Sequence, residues 1–274
     1  VDTDLVNSVF EEERPDWVVH FAAETHVDRS ILDPAQFLET NVLGTRVMLD
    51  AVRAFAPQRF VYISTDEVYG DSGRSGKIFT EDSPLKPSSP YSWSKASADM
   101  LVQAYHRTYG MPLLIVRPCN NFGPCQFPEK LIPVMISKIL RGETLPIYGD
   151  GRQIRDWMYV EDGAQGILSI LDEGQDGAIY NLAAQHSVEN RQLVSYICEI
   201  MAELLKENVQ DLWSTVEFVD DRPGHDFRYA IDDQRVRTDT DWRPEVAIEE
   251  GLRRTVEWWL SNEDRLVQME TDSY

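Results

Sequence analysis

The chain has 274 residues, of which 42% are hydrophobic and 27% charged, ordinary values for a soluble globular protein that can bury a sizeable core. Its net charge of -21 argues against nucleic acid as a partner, because phosphate contacts need Lys and Arg, and no apolar stretch is long enough to span a membrane. The cysteines Cys119, Cys125 and Cys198 cannot all pair internally, and their sparseness fits reduced thiols in a cytoplasmic protein.

The opening Val1-Asp2-Thr3-Asp4 lacks the basic-then-apolar pattern of a signal peptide. Trp17-Val18-Val19-His20-Phe21-Ala22 is a short apolar run ending in small residues and predicts a buried strand. Residues 37–55 carry apolar side chains at helical spacing, with Pro57 as a stop. Residues 59–64 predict a second strand, 91–109 a helix ended by Gly110 and Pro112, and 113–116 a third strand. Alternating strands and helices imply a parallel, doubly wound α/β sheet. Beyond Pro118 the pattern changes. Asn120 to Pro124 reads as a loop, 131–140 as a helix, and 145–148 and 154–160 as extended segments around the turn Gly149-Asp150-Gly151. Helices are expected over 161–171, 192–205 and 248–260, and a strand over 216–219. The last ten residues are polar and expected to be mobile.

Tyr91 and Lys95 stand four apart on a predicted helix and so share a face. A nearby ammonium favours a phenolate, which would make Tyr91 a base near neutral pH. The spacing alone occurs by chance in many chains. Its context is Ser64-Thr65 at the end of a predicted strand, where ligands collect in open sheets. Asp66 and Glu67 follow directly. A carboxyl pair whose environments differ can divide the roles of general acid and general base.

With Ala22-Ala23 at the previous strand end, these residues resemble the extended short-chain dehydrogenase/reductase family, and Thr65-Asp66-Glu67 resembles its nucleotide-sugar 4,6-dehydratases. The likeness runs from about Asp16 to about Asn262. It includes Ala22 to Ser30, Thr40 to Thr45, Pro87 to Ser92, Phe127 to Pro133, Leu145 to Gly149, Arg155-Asp156-Trp157 and Asp221 to Asp226. It implies a Rossmann-like domain over 1–121 and about 152–186, with a smaller α/β sugar-nucleotide domain over about 122–151 and 187–274. It implies NAD as cofactor, held by Ala22, Ala23, Asn41, Ser64, Tyr91 and Lys95. The substrate it implies is dTDP-glucose, with a UDP-sugar as the alternative. The implied catalytic set is Thr65, Asp66, Glu67, Tyr91 and Lys95. Tyr91 and Thr65 would serve oxidation at C4, Glu67 would take the C5 proton and Asp66 would protonate O6. His26, Asn120, Glu129, Lys130, Leu131, Pro146, Tyr148, Arg155, Asn190, Arg222 and His225 match substrate-binding positions. A homodimer through the helices at 37–55 and 91–109 is also implied.

Other features pull less. Gly70-Asp71-Ser72-Gly73-Arg74-Ser75-Gly76 has the glycine spacing of a phosphate turn, but Lys77 to Pro84 is no helix, so it reads as a flexible loop. The five histidines show no ligand pair at helical spacing and Cys119 and Cys125 lack close paired spacing, so no metal is expected. His20 reads as a core histidine. Lysine is confined to Lys77, Lys86, Lys95, Lys130, Lys138 and Lys206, and acid excess with few lysines is compatible with a salt-rich habitat. The resemblance implies a further segment upstream of Val1, about sixty residues carrying the pyrophosphate turn. The competing readings are a UDP-sugar dehydratase, an epimerase, or a non-catalytic fragment that binds sugar nucleotide or pairs with subunits.

Overall fold

The computed structural model of the protein describes residues 1–271. Its strands are β1 (Trp17–His20), β2 (Arg59–Ile63), β3 (Leu113–Pro118), β4 (Asn120–Phe122), β5 (Leu145–Tyr148), β6 (Ile154–Tyr159), β7 (Ile179–Leu182), β8 (Ser187–Glu189) and β9 (Val216–Val219). The helices are α1 (Thr3–Glu13), α2 (Val27–Leu32), α3 (Pro34–Phe37), α4 (Gly44–Phe55), α5 (Pro90–Tyr109) and α6 (Leu131–Leu140). They continue with α7 (Val160–Glu173), α8 (Asn190–Leu205), α9 (Val209–Trp213), α10 (Gln234–Asp239), α11 (Ile248–Leu260) and α12 (Glu263–Thr271). None of them is long and apolar enough to cross a membrane.

The chain divides into two compact units. Unit 1 comprises Val1–Cys119, Ala164–Ala183 and Gly224–Arg243. Its sheet is parallel throughout, in the order β1-β2-β3-β7. Phe60, Tyr62, Leu113 and Ile115 pack with Phe10 of α1, Leu49 and Val52 of α4, and Ala98 and Val102 of α5. The alternate strand residues meet another layer: a Cβ on Gly166 of α7 would stand 3.0 Å from Leu182, and one on Gly174 3.1 Å from Leu114. Helices thus cover both faces, which is why β2 and β3 read as continuous apolar runs. The fold is the doubly wound α/β architecture that the order of elements predicts.

The helix expected over 37–55 forms in three parts: α3, a π-helical stretch Leu38–Leu43, and α4, ended by Ala56 at φ 50°. The π stretch includes the buried Asn41. Helix α5 starts in a reciprocal capping box between Ser89 and Ser92, with Pro90 in its first turn, and stops at Gly110 with φ 64°. Helix α1 and strand β7 are not foreseen. The polar Asn181 interrupts the short apolar run of β7, and only pairing with β3 defines it.

Unit 2 comprises Asn120–Gly163, Ala184–Pro223 and the described residues from Pro244 onward. It holds a β4-β6-β8 sheet and a β5-β9 pair. Ile132, Ile136, Leu145, Ile147, Leu193, Ile197, Leu252, Val256 and Trp259 form its apolar core. The expected loop at Asn120 is a short strand, parallel to β6. The two extended segments flanking Gly149-Asp150-Gly151 enter different sheets. The division differs from the predicted one most at two places. Residues 152–163 belong to unit 2, because β6 pairs with β4 and β8. Residues 224–243 belong to unit 1, because Ser72, Phe79 and Asn181 bond to the backbone of Arg228, Ala230 and Asp232. Helix α12 extends to Thr271, where mobility was expected, and residues 272–274 lie outside the described residues.

Candidate active site

In unit 1 the residues after β2 turn at once. Thr65, extended at φ -159° and ψ 155°, caps a 3₁₀ turn Asp66–Tyr69, its Oγ1 accepting from the Glu67 N–H at 3.3 Å. The Thr65 hydroxyl also donates to Asp66 Oδ1 at 3.3 Å. Gly70 closes the turn at φ 76°, and a Cβ there would collide with the Lys86 carbonyl oxygen, so only glycine fits. Asp66 is 3% exposed, and Glu67 is half-buried.

Helix α5 brings Tyr91 and Lys95 to this turn. The Tyr91 N–H donates to Ser30 Oγ at 3.1 Å, which fixes the first helical turn against α2. Lys95, 3% exposed, donates to the Ile63 carbonyl at 2.6 Å and stands 4.5 Å over the Tyr62 ring. Burial pushes its ammonium down to about 7, partly opposed by Asp99. The Tyr91 phenol is raised, first by burial and then by the Glu67 charge; a hydrogen bond with Thr65 opposes this and Asp66 adds to it. The easy ionisation expected for Tyr91 is therefore not met. Desolvation and two carboxylates outweigh Thr65, and the Lys95 ammonium is directed at Ile63 and Tyr62. The same four groups, Thr65, Asp66, Glu67 and Tyr91, nevertheless interact with one another at the carboxyl end of β2.

Of the other expected cofactor residues, Ala22 and Ala23 follow β1, and Ala22 is exposed. Ser64 Oγ is buried without a hydrogen-bond partner. Asn41 is buried, and its amide is committed. It donates to the Glu24 carbonyl at 3.0 Å and to Ser94 Oγ at 2.8 Å, and accepts from the Glu24 N–H at 2.8 Å. It fastens the loop after β1 to α5. His26 caps α2, Nδ1 accepting from the Arg29 N–H at 3.3 Å. His20 is a core histidine, 3.1 Å from Thr45 Oγ1, lowered to about 4 by burial and by Lys95. The glycine-spaced loop Gly70 to Gly76 has no helix behind it, and it is pinned: the Ser72 N–H and Oγ both donate to the Arg228 carbonyl, at 2.9 and 3.0 Å.

In unit 2 the Lys130 ammonium lies 3.5 Å from Glu129 Oε1, just before Leu131 opens α6. Pro146 and Tyr148 lie on β5, and the Arg222 guanidinium stands 4.9 Å over the Tyr148 ring. Arg155 is buried on β6 and donates to the Ile154 carbonyl at 2.8 Å. Asn120 Oδ1 and Asn190 Oδ1 are buried without hydrogen-bond partners. His225 belongs to unit 1, on the other side of the division from Arg222. Sequence reasoning quotes Asp156 in a motif but gives it no role; its carboxylate accepts from the Ala184, Gln185 and His186 amides. It missed Tyr229, whose hydroxyl lies 3.4 Å from Glu67 Oε2. Its distance along the chain from Glu67 leaves no local signal.

Against known proteins, a family model described as GDP-mannose 4,6 dehydratase matches residues 1–255. A dTDP-glucose 4,6-dehydratase of Neisseria meningitidis is 48% identical over 269 residues, covering 94% of this chain and 76% of that protein. DesIV, a dTDP-glucose 4,6-dehydratase of Streptomyces venezuelae solved with NAD bound, superposes with a TM-score of 0.89 at 42% identity, covering 98% of this chain and 80% of its own. The UDP-glucose 4-epimerase of Thermotoga maritima, solved with UDP-glucose, gives 0.86 at 28% identity, covering 96% and 82%.

Proposed function

We infer the activity from one premise: the chain belongs to the nucleotide-sugar 4,6-dehydratase family, whose model and relatives it matches. It dehydrates dTDP-glucose to dTDP-4-keto-6-deoxyglucose. The observation that carries this reading is the convergence of Asp66 and Glu67 on the Tyr91–Thr65 pair. Oxidation or epimerisation at C4 alone has no use for a second acid–base pair there, whereas loss of water requires one.

NAD, when bound, supplies the oxidation at C4 and the later reduction at C6. Lys95, Tyr91, Ser64 and the Ala22-Ala23 end of β1 would hold it. The buried, unpartnered Ser64 hydroxyl fits a bound polar group, and Asn41 contributes by fixing the loop after β1. Tyr91 takes the O4 proton. Its phenol is protonated at rest, and the hydrogen bonds through Thr65 to Asp66 Oδ1 give its own proton a path to that acid. Glu67 then takes the C5 proton, acidified by the neighbouring ketone. Asp66 protonates the departing O6, water leaves, and a proton returns to C5.

The residues of unit 2 serve the nucleotide diphosphate and sugar, with Arg155 and Arg222 as phosphate donors and Asn120 and Asn190 offering open acceptors. The chain acts as a homodimer in the cytoplasm. Support for pairing is the apolar exposure on the helices expected to meet: Leu43 at 43% and Phe55 at 40% on one, Trp93 at 47% and Met100 at 53% on the other.

The test is to incubate the protein, produced from its whole coding sequence, with NAD and either dTDP-glucose or UDP-glucose. Mass spectrometry should report loss of one water from dTDP-glucose. Epimerisation or C4 oxidation without water loss from either sugar would refute the reading, and water loss from UDP-glucose alone would move the substrate to a UDP-sugar.

A further inference from the structure

Two buried side chains that the scheme above leaves unused stand behind the base. Tyr229 and Asp226 belong to the same unit as Glu67. The Tyr229 hydroxyl donates to Asp226 Oδ2 at 2.9 Å and lies 3.4 Å from Glu67 Oε2. Its place is fixed from both sides along the backbone. The Arg228 N–H donates to Asp71 Oδ1 at 2.9 Å, and the Ala230 carbonyl accepts from the Phe79 N–H at 2.8 Å.

A phenol has one proton. The shorter contact directs it to Asp226, which leaves an oxygen lone pair towards Glu67. That lone pair suits a Glu67 that has just become a carboxylic acid, because the acid can then donate to it. We propose that Tyr229 and Asp226 are positioning residues that form a proton relay for Glu67, an inference that rests on the dehydration reading. When Glu67 has taken the C5 proton, its O–H donates that proton to the Tyr229 oxygen as the Tyr229 hydroxyl passes its own to Asp226. Glu67 is a carboxylate again, Asp226 is neutral, and the phenol is unchanged. The reverse sequence returns a proton to C5. Exchange at Asp226 replaces the original proton with one from solvent.

The experiment runs the unaltered protein, Tyr229→Phe and Asp226→Asn in deuterium oxide with NAD and dTDP-glucose, and measures deuterium at C5 of the product. The unaltered protein should deliver product deuterated at C5. Both variants should retain several-fold more protium there, with slower turnover and undiminished C4 oxidation. The isotope ratio is read on whatever product forms, so a partly folded variant still reports, and a structural role would slow turnover without moving the ratio. An unchanged ratio in Tyr229→Phe, or a folded variant that oxidises C4 and releases no product at all, would overturn the relay. No water loss by the unaltered protein would instead refute the dehydration reading.

Discussion

Beside the sheet of unit 1, charge lies buried; over the core of unit 2, most ion pairs stay at the surface. Arg117 and Asp99 pair at 2.8 Å with side chains 2% and 0% exposed, and a second guanidinium nitrogen donates to Asp99 at 2.9 Å. Arg117 also donates to the Tyr69 hydroxyl at 2.7 Å, which donates onward to Asn181 Oδ1 at 2.8 Å. Tyr69 ends the turn that carries Asp66 and Glu67, and Asp99 stands one helical turn beyond Lys95. The buried network thus ties the carboxylate turn to the helix of Tyr91 and Lys95. Unit 2 buries Arg155 and Asp156, but its core is aliphatic and aromatic, and pairs such as Arg253–Glu203 lie outside it. Apolar packing holds a shape at little electrostatic cost. A satisfied polar network is less forgiving and fixes where each functional group stands.

The largest expected effect is chemical. Asp66→Asn with Glu67→Gln should lower water loss by a factor of about 10² to 10⁴ for each acid or base removed, and should lower C4 oxidation less, because that step loses only the proton path to Asp66. Product mass and reduced-cofactor absorbance separate the two steps, and full dehydration by the double variant would take the turn out of the chemistry. Next comes the network itself. Arg117→Met alone strands a buried carboxylate and should cost about 3–5 kcal/mol in urea unfolding. Asp99→Leu with Arg117→Met should cost less than the single change. If the single change proves the milder, the contrast between the units fails, because burial would not be what makes the pair matter.

The sequence exposes these two regions unequally. The runs of β2 and β3, and the helix signals of α5, α6 and α11, are legible because each element is long or strongly patterned and carries its own stop signal. Thr65 to Glu67, Tyr91 and Lys95 are legible as local motifs at a strand end and on one helix face. Strand β4 hides in Asn120-Asn121-Phe122 because pairing, not composition, makes it extended. Segment 224–243 lies in unit 1 through hydrogen bonds from Asn181 and from Ser72 and Phe79, the last two more than a hundred residues away. Tyr229 is missed for the same reason. The pKa of Tyr91 is misjudged because spacing predicts a neighbouring ammonium and says nothing about burial.

Lys95 gives a pH test of the contrast. Its folded value of about 7 lies below the 10.5 of the unfolded chain. Between these limits the unfolded chain holds a proton that the folded one releases, so this group makes stability rise with pH across that window. The stabilisation is complete above the unfolded value and is lost as pH falls through the folded one. Lys95→Met should therefore be more stable than the parent near pH 7, with the gap closing toward pH 10, as read by thermal melts. A gap that does not change with pH would mean that the buried ammonium carries no desolvation cost.

The smallest effect belongs to the surface of unit 2. Arg253 reaches Glu203 through two contacts, at 3.1 and 2.6 Å, a geometry as close as that of Arg117 with Asp99. Its side chains are 35% and 64% exposed, so water screens the attraction and the unpaired partner is readily solvated when one is removed. Arg253→Ala should shift the unfolding midpoint far less than Arg117→Met, and raising salt should shrink even that small shift. With geometry matched, the difference from Arg117→Met isolates desolvation. Equal losses for the two arginines would place the stabilisation in hydrogen-bond geometry instead, and would remove the reason for reading the buried network of unit 1 as the frame of its active site.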